Sequence, residues 1–592
     1  MKIELIRKKI EEIQEQLQKD SRLSTRYSWL RFVLIAIFIF SVFEGADKQP
    51  VWYGLSVVTL VVFLYIVKCH EAIKRQIESE GAMIEAYEDL IARKGVEWRK
   101  FADTGSQFLT EEMTQEYDLD IFGKASLYQY ITVAKTTLGK EALARLLSVR
   151  KQRTDTIIQR QEATRECIQN SEFTMKMTML LKLFAKHGHK KRRKSLEDFF
   201  LYMEQEEKGY PALFVVILYV VPLMTILSGI ATMFFQVSYA YLLIMTTLSL
   251  SLCFLFFITN SRKLSQVADS AELMKDYERM LREVSTQGYT SQYLRALQAQ
   301  MKDAVEGIRK LNRILNLVRL RSNGLMCILA NAFVLLDFHC VKLLGQWRSQ
   351  YGKQVRSWLE ALGEVEAILS LAQVGYAKTT TVFPDCHTQA LQMHMKQMKH
   401  PLLVEGEAVA NDFDAHRGSY IITGSNMSGK TTFLRTIGVN MVLMNAGAPV
   451  CAEEFHATSM NLYTSMRVMD DVSEGISTFY AEILRIKQMM ERSKEKESML
   501  VLIDEIFKGT NSADRILCAK QAIIRLHLPW VITMVSTHDF ELCDLEKDPT
   551  IQAVNYHFSE YYEGDRICFD YTIKDGRCTT TNAQQLMKLA GF

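Results

Sequence analysis

Three short stretches near the carboxyl end carry residue types at spacings suited to phosphate chemistry. Residues 424–431 read G-S-N-M-S-G-K-T, which fits G-x-x-x-x-G-K-[ST] at every fixed position. Gly424 and Gly429 let the backbone curl so that successive N–H groups point inward at phosphate oxygens. Lys430 brings a point charge to the β- and γ-phosphates, and Thr431 offers a hydroxyl to Mg²⁺. The expected nucleotide contacts are therefore Gly424, Ser425, Asn426, Met427, Ser428, Gly429, Lys430, Thr431 and Thr432, and the expected cofactors are ATP and Mg²⁺. The second stretch, L-V-L-I-D-E at 500–505, reads as a buried parallel strand with two carboxylates at its carboxyl end. Asp504 suits the Mg²⁺ shell and Glu505 suits polarising the attacking water. The third, an apolar run at 531–535, ends in Ser536-Thr537-His538, where a histidine can contact the γ-phosphate.

These groups need elements to hold them. Tyr420-Ile421-Ile422 predicts a strand before the glycine loop, and residues 432–445 predict a helix after it, whose positive amino-terminal end faces the phosphates. G-I-S-T-F-Y-A-E, residues 475–482, opens an amphipathic helix. At 592 residues the chain is long enough for three or four units. A net charge of +3 gives no bulk basicity for a nucleic-acid partner, and eleven cysteines without a C-x-x-C pair read as reduced thiols. Asp385, Cys386, His387, His394 and His400 match no metal-binding spacing and read as an ordinary loop.

Four apolar runs, 29–43, 51–67, 210–235 and 239–259, approach the ~20 residues that cross a bilayer, with Trp29, Trp52 and Tyr53 at interfacial positions. The linkers 44–50 and 236–238 hold almost no Lys or Arg, whereas residues 22–26, 68–75, 186–194 and 262–263 are rich in them. The linkers are therefore expected outside and the rest in the cytoplasm, as in a multi-pass protein of the cell (inner) membrane. The basic run 186–194 reads first as an orientation signal and second as a phosphate grip for nucleic acid. A fifth apolar stretch, 325–336, is short and is followed by Asp337, His339 and Lys342; it is expected to be a buried core helix. Residues 269–321 predict long paired helices, and Gly139 a tight turn in a helical core.

T-G-S-N-M-S-G-K-T-T-F-L-R, G-I-S-T-F-Y-A-E, D-E-I-F-K-G-T-N-S-A-D and S-T-H-D-F-E-L, in this order over residues 399–592, resemble the ATPase domain of the MutS family of DNA mismatch-repair proteins. D-L-D-I-F-G-K-A-S-L, T-T-L-G-K and Ile157, Arg160 and Gln161 resemble its helical core more weakly. The resemblance implies an α/β P-loop ATPase domain, MutS/ABC-like, preceded by an α-helical core and lever domain, here with four transmembrane helices in two hairpins. It implies a homodimer through the ATPase domains with composite sites, Asn426 lining the nucleotide and Ser477 reaching the γ-phosphate of the opposite subunit. Ala408 stands where the family has an adenine-stacking aromatic, and Phe413 is the expected substitute. Two apolar runs take the place of the mismatch-reading domain, the second hairpin that of the DNA clamp, and the terminal dimerising helices are not expected before Phe592.

The expected order is a cytoplasmic helix at 1–28, transmembrane hairpins at 29–67 and 210–260, the first part of the core at 68–209, lever and core helices at 261–395 and the ATPase domain at 396–592. The leading expectation is a membrane-tethered ATPase that moves lever helices, with membrane lipid as a partner. The alternative is a membrane-anchored DNA-binding protein of mismatch repair or recombination. DNA binding, where present, is expected to be weak and mismatch-independent.

Overall fold

The computed structural model describes residues 3–47, 51–110, 112–187, 192–205, 212–269, 271–320, 324–386, 390–467, 478–507, 512–551, 553–563 and 566–578. Two helices, Ile3–Asp47 and Val51–Lys94, lie against one another along their length. Each is about 65 Å long at 1.5 Å per residue. Polar and apolar halves share one unbroken helix, so the first apolar run continues straight from the charged amino-terminal stretch. Where the two cross, Ser41 and Ser56 bring their hydroxyls to 3.0 Å, and each hydroxyl also bonds a carbonyl of its own helix. Small residues of this kind let apolar helices approach closely. Trp29, Phe32 and Val57 point outward.

Among the described residues, three helices, Ile3–Gly45, Val51–Lys94 and Val216–Phe235, are long and apolar enough to cross a membrane by length and composition. The fourth expected run lies on the helix Tyr239–Asp269, whose described apolar stretch Tyr239–Phe254 is shorter than a span. Pro222 sits inside the helix Ala212–Phe235 without ending it. Residues 188–191, in the middle of the basic run 186–194, fall outside the described residues.

The helical body is built on Val355–Ala377, a helix buried almost throughout and packed against Thr137–Leu146 and Thr154–Gln169. Gly139 is not a tight turn. It sits in the first turn of Thr137–Leu146, where Thr136 caps the helix by accepting the Gly139 N–H at 2.9 Å. A Cβ on Gly139 would run into the carboxylate of Glu366, so the glycine serves close helix packing. Glu366 is fully buried and accepts from the N–H groups of Lys135 and Thr136 and from the Thr136 hydroxyl at 2.6 Å. Burial nonetheless pushes its carboxyl up to about 7.

The stretch 325–336 is also not a buried core helix. It divides into Gly324–Val334 and the start of Leu336–Tyr351, with Leu335 between them at φ +51°. Leu325, Met326, Ile328 and Leu329 are exposed, because this short helix lies against the apolar helices Ala212–Phe235 and Tyr239–Asp269 rather than inside the body.

From residue 392 the chain turns to β structure. The strands are β1 Gln392–Met398, β2 Asn411–His416, β3 Gly418–Thr423, β4 Glu454–Ala457, β5 Asn461–Ser465, β6 Met499–Asp504, β7 Val531–Thr537, β8 Val554–His557, β9 Glu560–Glu563, β10 Arg566–Phe569 and β11 Lys574–Asp575. Six of them form a sheet in the order β11-β8-β3-β7-β6-β5, parallel except for β11. β3, β6 and β7 are buried at every position, as expected of central parallel strands covered on both faces. Antiparallel β2-β1-β4 forms a second sheet, and β9-β10 a hairpin. The register pairs Thr423 with Thr537 and Asp504 with Ser536. The glycine loop, the two carboxylates and His538 thus leave the sheet along one carboxyl edge, where open α/β sheets place their ligands.

Candidate active site

The glycine loop joins β3 to the helix Lys430–Ala446. Gly424 takes φ +149°, and a Cβ there would come within 2.8 Å of the Phe558 carbonyl oxygen. Gly429 takes φ +108° and precedes the first helical turn, so its left-handed backbone turns the loop into the helix. Lys430 donates to the carbonyls of Gly424 and Ser425, both at 2.8 Å, and its Nζ lies 3.4 Å from His538 Nε2. The ammonium is thereby aimed across the mouth of the loop.

Asp504 is buried at the end of β6. It accepts the Thr431 hydroxyl at 2.8 Å through Oδ2 and the Ser536 hydroxyl through Oδ1. Two hard oxygen donors from different elements meet at this point, which fits Mg²⁺, a cation that takes one or two protein oxygens and completes its shell with phosphates and water. Among the described residues no group of three or more His, Cys, Asp or Glu side chains is placed to hold a metal without such help. Asp385 and His394 pair separately, with His456 at 3.3 Å and with Asp414, while Cys386 is buried. His387 lies outside the described residues.

Glu505 adopts φ +53°, unusual for a residue with a side chain, and its N–H bonds the Ser536 carbonyl at 2.9 Å. Such a conformation costs about 1–3 kcal/mol and is held by its surroundings. It turns the carboxylate toward His538, whose Nε2 lies 3.1 Å from Glu505 Oε1. The residue after the histidine, Asp539, accepts from Arg515 Nε at 2.8 Å and Nη2 at 2.7 Å, which fixes the turn carrying the histidine. The structure thus brings together Lys430, Thr431, Asp504, Glu505 and His538. Ser477, together with Asp470 and Asp471, lies outside the described residues.

A cavity of about 280 Å³ opens beside Gly429, lined by His400, Val409, Phe433, Phe558 and Tyr571 among others. Phe413 is not available for a base. Its ring is buried among Tyr420, Phe433 and Tyr556, because alternation along β2 turns it into the core. Tyr571 is the half-exposed ring at the cavity, and Asn411 holds its segment by donating to the Tyr571 carbonyl and accepting the Ile573 N–H. Burial pushes His400 down to about 4, so that wall is neutral at physiological pH.

Three further sets of residues had no single-residue signal in the sequence. Glu560 on β9 accepts the Ser425 hydroxyl at 2.7 Å and places a carboxylate behind the loop. Asp118, fully buried, accepts from the Thr464 hydroxyl, from the N–H groups of Met466 and Arg467 and from Arg485. Asp120 accepts from Arg467 Nη1 at 2.6 Å and Nη2 at 3.0 Å, and meets Arg435 of the phosphate-loop helix at 3.5 Å. The D-L-D-I-F-G segment was legible as a piece of helical core. Its task of tying that core to β5 and to two ATPase helices depends on partners over 300 residues away.

A parallel sheet with a phosphate loop, a paired Asp-Glu at the neighbouring strand and a histidine on the next defines a P-loop ATP hydrolase. Residues 420–592 match the family described as MutS domain V. The DNA mismatch repair protein MutS of Persephonella marina is 29% identical over 250 residues, covering 39% of this chain and 27% of that protein. The DNA mismatch repair protein MutS 2 of Halobacterium salinarum is 28% identical over 251 residues, 41% of this chain and 28% of its own. The MutS of Halalkalibacterium halodurans is 32% identical over 261 residues, 42% of this chain and 29% of its own. The chain spans less than a third of the length of these relatives.

Proposed function

We propose that this chain is a membrane-tethered, MutS-like ATPase of the cell membrane, with its catalytic domain in the cytoplasm, which hydrolyses Mg²⁺-ATP at sites shared between two subunits and uses the cycle to move its long helices. The observation that carries this reading is the convergence of Thr431 with Asp504 and of Lys430 and Glu505 with His538. In it, residues 424–432 cradle the triphosphate, and Thr431 and Asp504 hold Mg²⁺, which neutralises charge on the phosphates. Glu505 orients and polarises the attacking water, and His538 reads the γ-phosphate. The cavity beside Gly429 takes the base against Tyr571. Ser477 completes the site of the opposite subunit. The apolar hairpin of the first two helices supports the tether, and the Asp118 and Asp120 contacts support transmission from the ATPase to the helical body.

Mixing variants tests the shared site. Lys430→Ala and Ser477→Ala subunits are each expected to be inactive alone. Mixed together they are expected to regain part of the wild-type rate, because one of the two composite sites is then intact. A mixture no more active than either variant alone excludes cross-subunit catalysis.

The second reading, a membrane-anchored DNA-binding protein of repair or recombination, is favoured by the relatives, which are named as DNA mismatch repair proteins.

A further inference from the structure

We infer that the helix Gly324–Val334 enters the lipid bilayer to about half its depth and returns, so that a lever helix of this ATPase is itself seated in the membrane. The inference rests on the membrane-tethered reading above. The helix carries no charged residue, and Leu325, Ile328 and Val334 are 67, 56 and 47% exposed. Its buried residues, Asn331 and Ala332, lie on the side packed against Ala212–Phe235 and Tyr239–Asp269. Leu223 and Phe254 of those two helices are exposed as well, and Phe254 lines one groove with Ile328, so whatever solvates Phe254 solvates this helix too. An open groove of about 820 Å³ between the helices is lined by Leu250, Phe254 and Ile328, with Asn331 and Asp337 at the end beside the reversal, and its surface is mostly apolar. Lipid hydrocarbon is therefore the occupant of this face.

Length decides between crossing and returning. Eleven residues rise about 16 Å, roughly half of a ~30 Å hydrocarbon core. The chain arrives along Gln292–Arg319, at 106° to the short helix. It leaves by reversing at Leu335, and the backbone groups freed there are satisfied inside the protein. The Asn331 carbonyl accepts the Leu335 N–H at 3.2 Å, and Asn331 Oδ1 accepts the Asp337 N–H at 3.0 Å. Irregular backbone at membrane depth requires such internal satisfaction. Asn331 Oδ1 also lies 3.4 Å from the Cys253 thiol, which ties the reversal to the neighbouring apolar helix. On the way out, His339 packs its ring against Tyr219 at 5.4 Å, and Lys342, one turn further on, reaches the hydroxyl of the same tyrosine at 3.0 Å, a long cation whose head can extend toward the headgroups. A half-depth return also keeps the ATPase on the same side as the helix Ala304–Arg319.

The test uses full-length protein reconstituted in phosphatidylcholine–phosphatidylglycerol vesicles. Nitroxide is attached at Ile328→Cys, Val57→Cys, Met224→Cys and Lys302→Cys, and the signal of labelled unsubstituted protein is subtracted. Collision with oxygen is expected to exceed collision with a water-soluble nickel chelate at 328, 57 and 224, with the reverse at 302. Nickel dominance at 328 with oxygen dominance at 57 and 224 overturns the seated helix and leaves the tether standing. Nickel dominance at all three overturns the tether and the inference with it. An impermeant thiol reagent distinguishes return from crossing: Lys302→Cys and Gln350→Cys are expected to react from the same side as Glu546→Cys. Reaction of 302 and 350 from opposite sides overturns the half-depth return.

Discussion

At the scale of residues, the site divides binding from chemistry. Lys430 lies at the loop mouth and donates to two of the loop's carbonyls, while Glu505 follows the end of β6, and both reach His538 Nε2. Lys430→Ala is therefore expected to lose nucleotide binding. Glu505→Gln keeps the shape and the strained backbone but loses the charge that polarises water, so it is expected to bind ATP with near wild-type affinity and hydrolyse it at least about 10²-fold more slowly. Fluorescent-nucleotide titration beside steady-state turnover separates the two, and normal turnover in Glu505→Gln removes the assigned base. This much was legible in the sequence, because a phosphate loop and an Asp-Glu pair carry their chemistry in contiguous residues. Tyr571 and Glu560 were not, because each reaches the loop from more than 130 residues away through tertiary packing. Phe413 misled because aromatic type alone does not say which way a strand residue points.

At the scale of elements, the junction between Val355–Ala377 and Thr137–Leu146 is held by a carboxyl group in an unusual state. Glu366 is pushed up to about 7 by burial, above the 4.5 of an ordinary glutamate. The folded state therefore holds the proton more tightly than the unfolded state. The stabilisation from this group is complete below about pH 4.5 and is lost as pH rises toward 7, a change on the order of 3 kcal/mol at most. Thermal unfolding of the detergent-solubilised protein is expected to shift downward between pH 5 and 7.5. Glu366→Gln, which is neutral throughout, is expected to flatten that part of the profile, and an unchanged slope in the variant assigns the pH dependence elsewhere. The sequence showed that helices existed here through their apolar spacing. It did not show that Gly139 meets a buried carboxylate, since glycine marks turns and close approaches alike. The helix Gly324–Val334 was misplaced for a related reason: apolarity alone does not distinguish a core position from a lipid-facing one.

At the scale of the whole molecule, the open question is what the ATPase acts on, and DNA is the partner to test first. The relatives are named as DNA mismatch repair proteins, but this chain spans less than a third of their length, and the matched family domain is the ATPase. A shared fold does not fix a shared ligand. The net charge of +3 over 592 residues provides no broad positive field, so a duplex must be gripped by local clusters. In the membrane-tethered reading, the densest of these, residues 186–194, would have a sufficient role in orientation, and anionic headgroups would compete with DNA for the same charges. Arginines along the helix Ala304–Arg319 are partly engaged, Arg309 with Glu278 at 3.5 Å. Binding is therefore expected to be weak, to ignore mismatches and to rest almost wholly on counterion release. An interface with six or more phosphate contacts loses about 10³-fold or more in affinity between 50 and 200 mM salt. The check is a salt series on the detergent-solubilised protein with matched and mismatched duplexes, with ATP turnover measured in the same samples. Equal affinities that collapse together as salt rises, with turnover unchanged by DNA, leave the membrane-coupled motor as the reading. A preference for the mismatched duplex that persists at physiological salt, with stimulated turnover, makes repair the function instead.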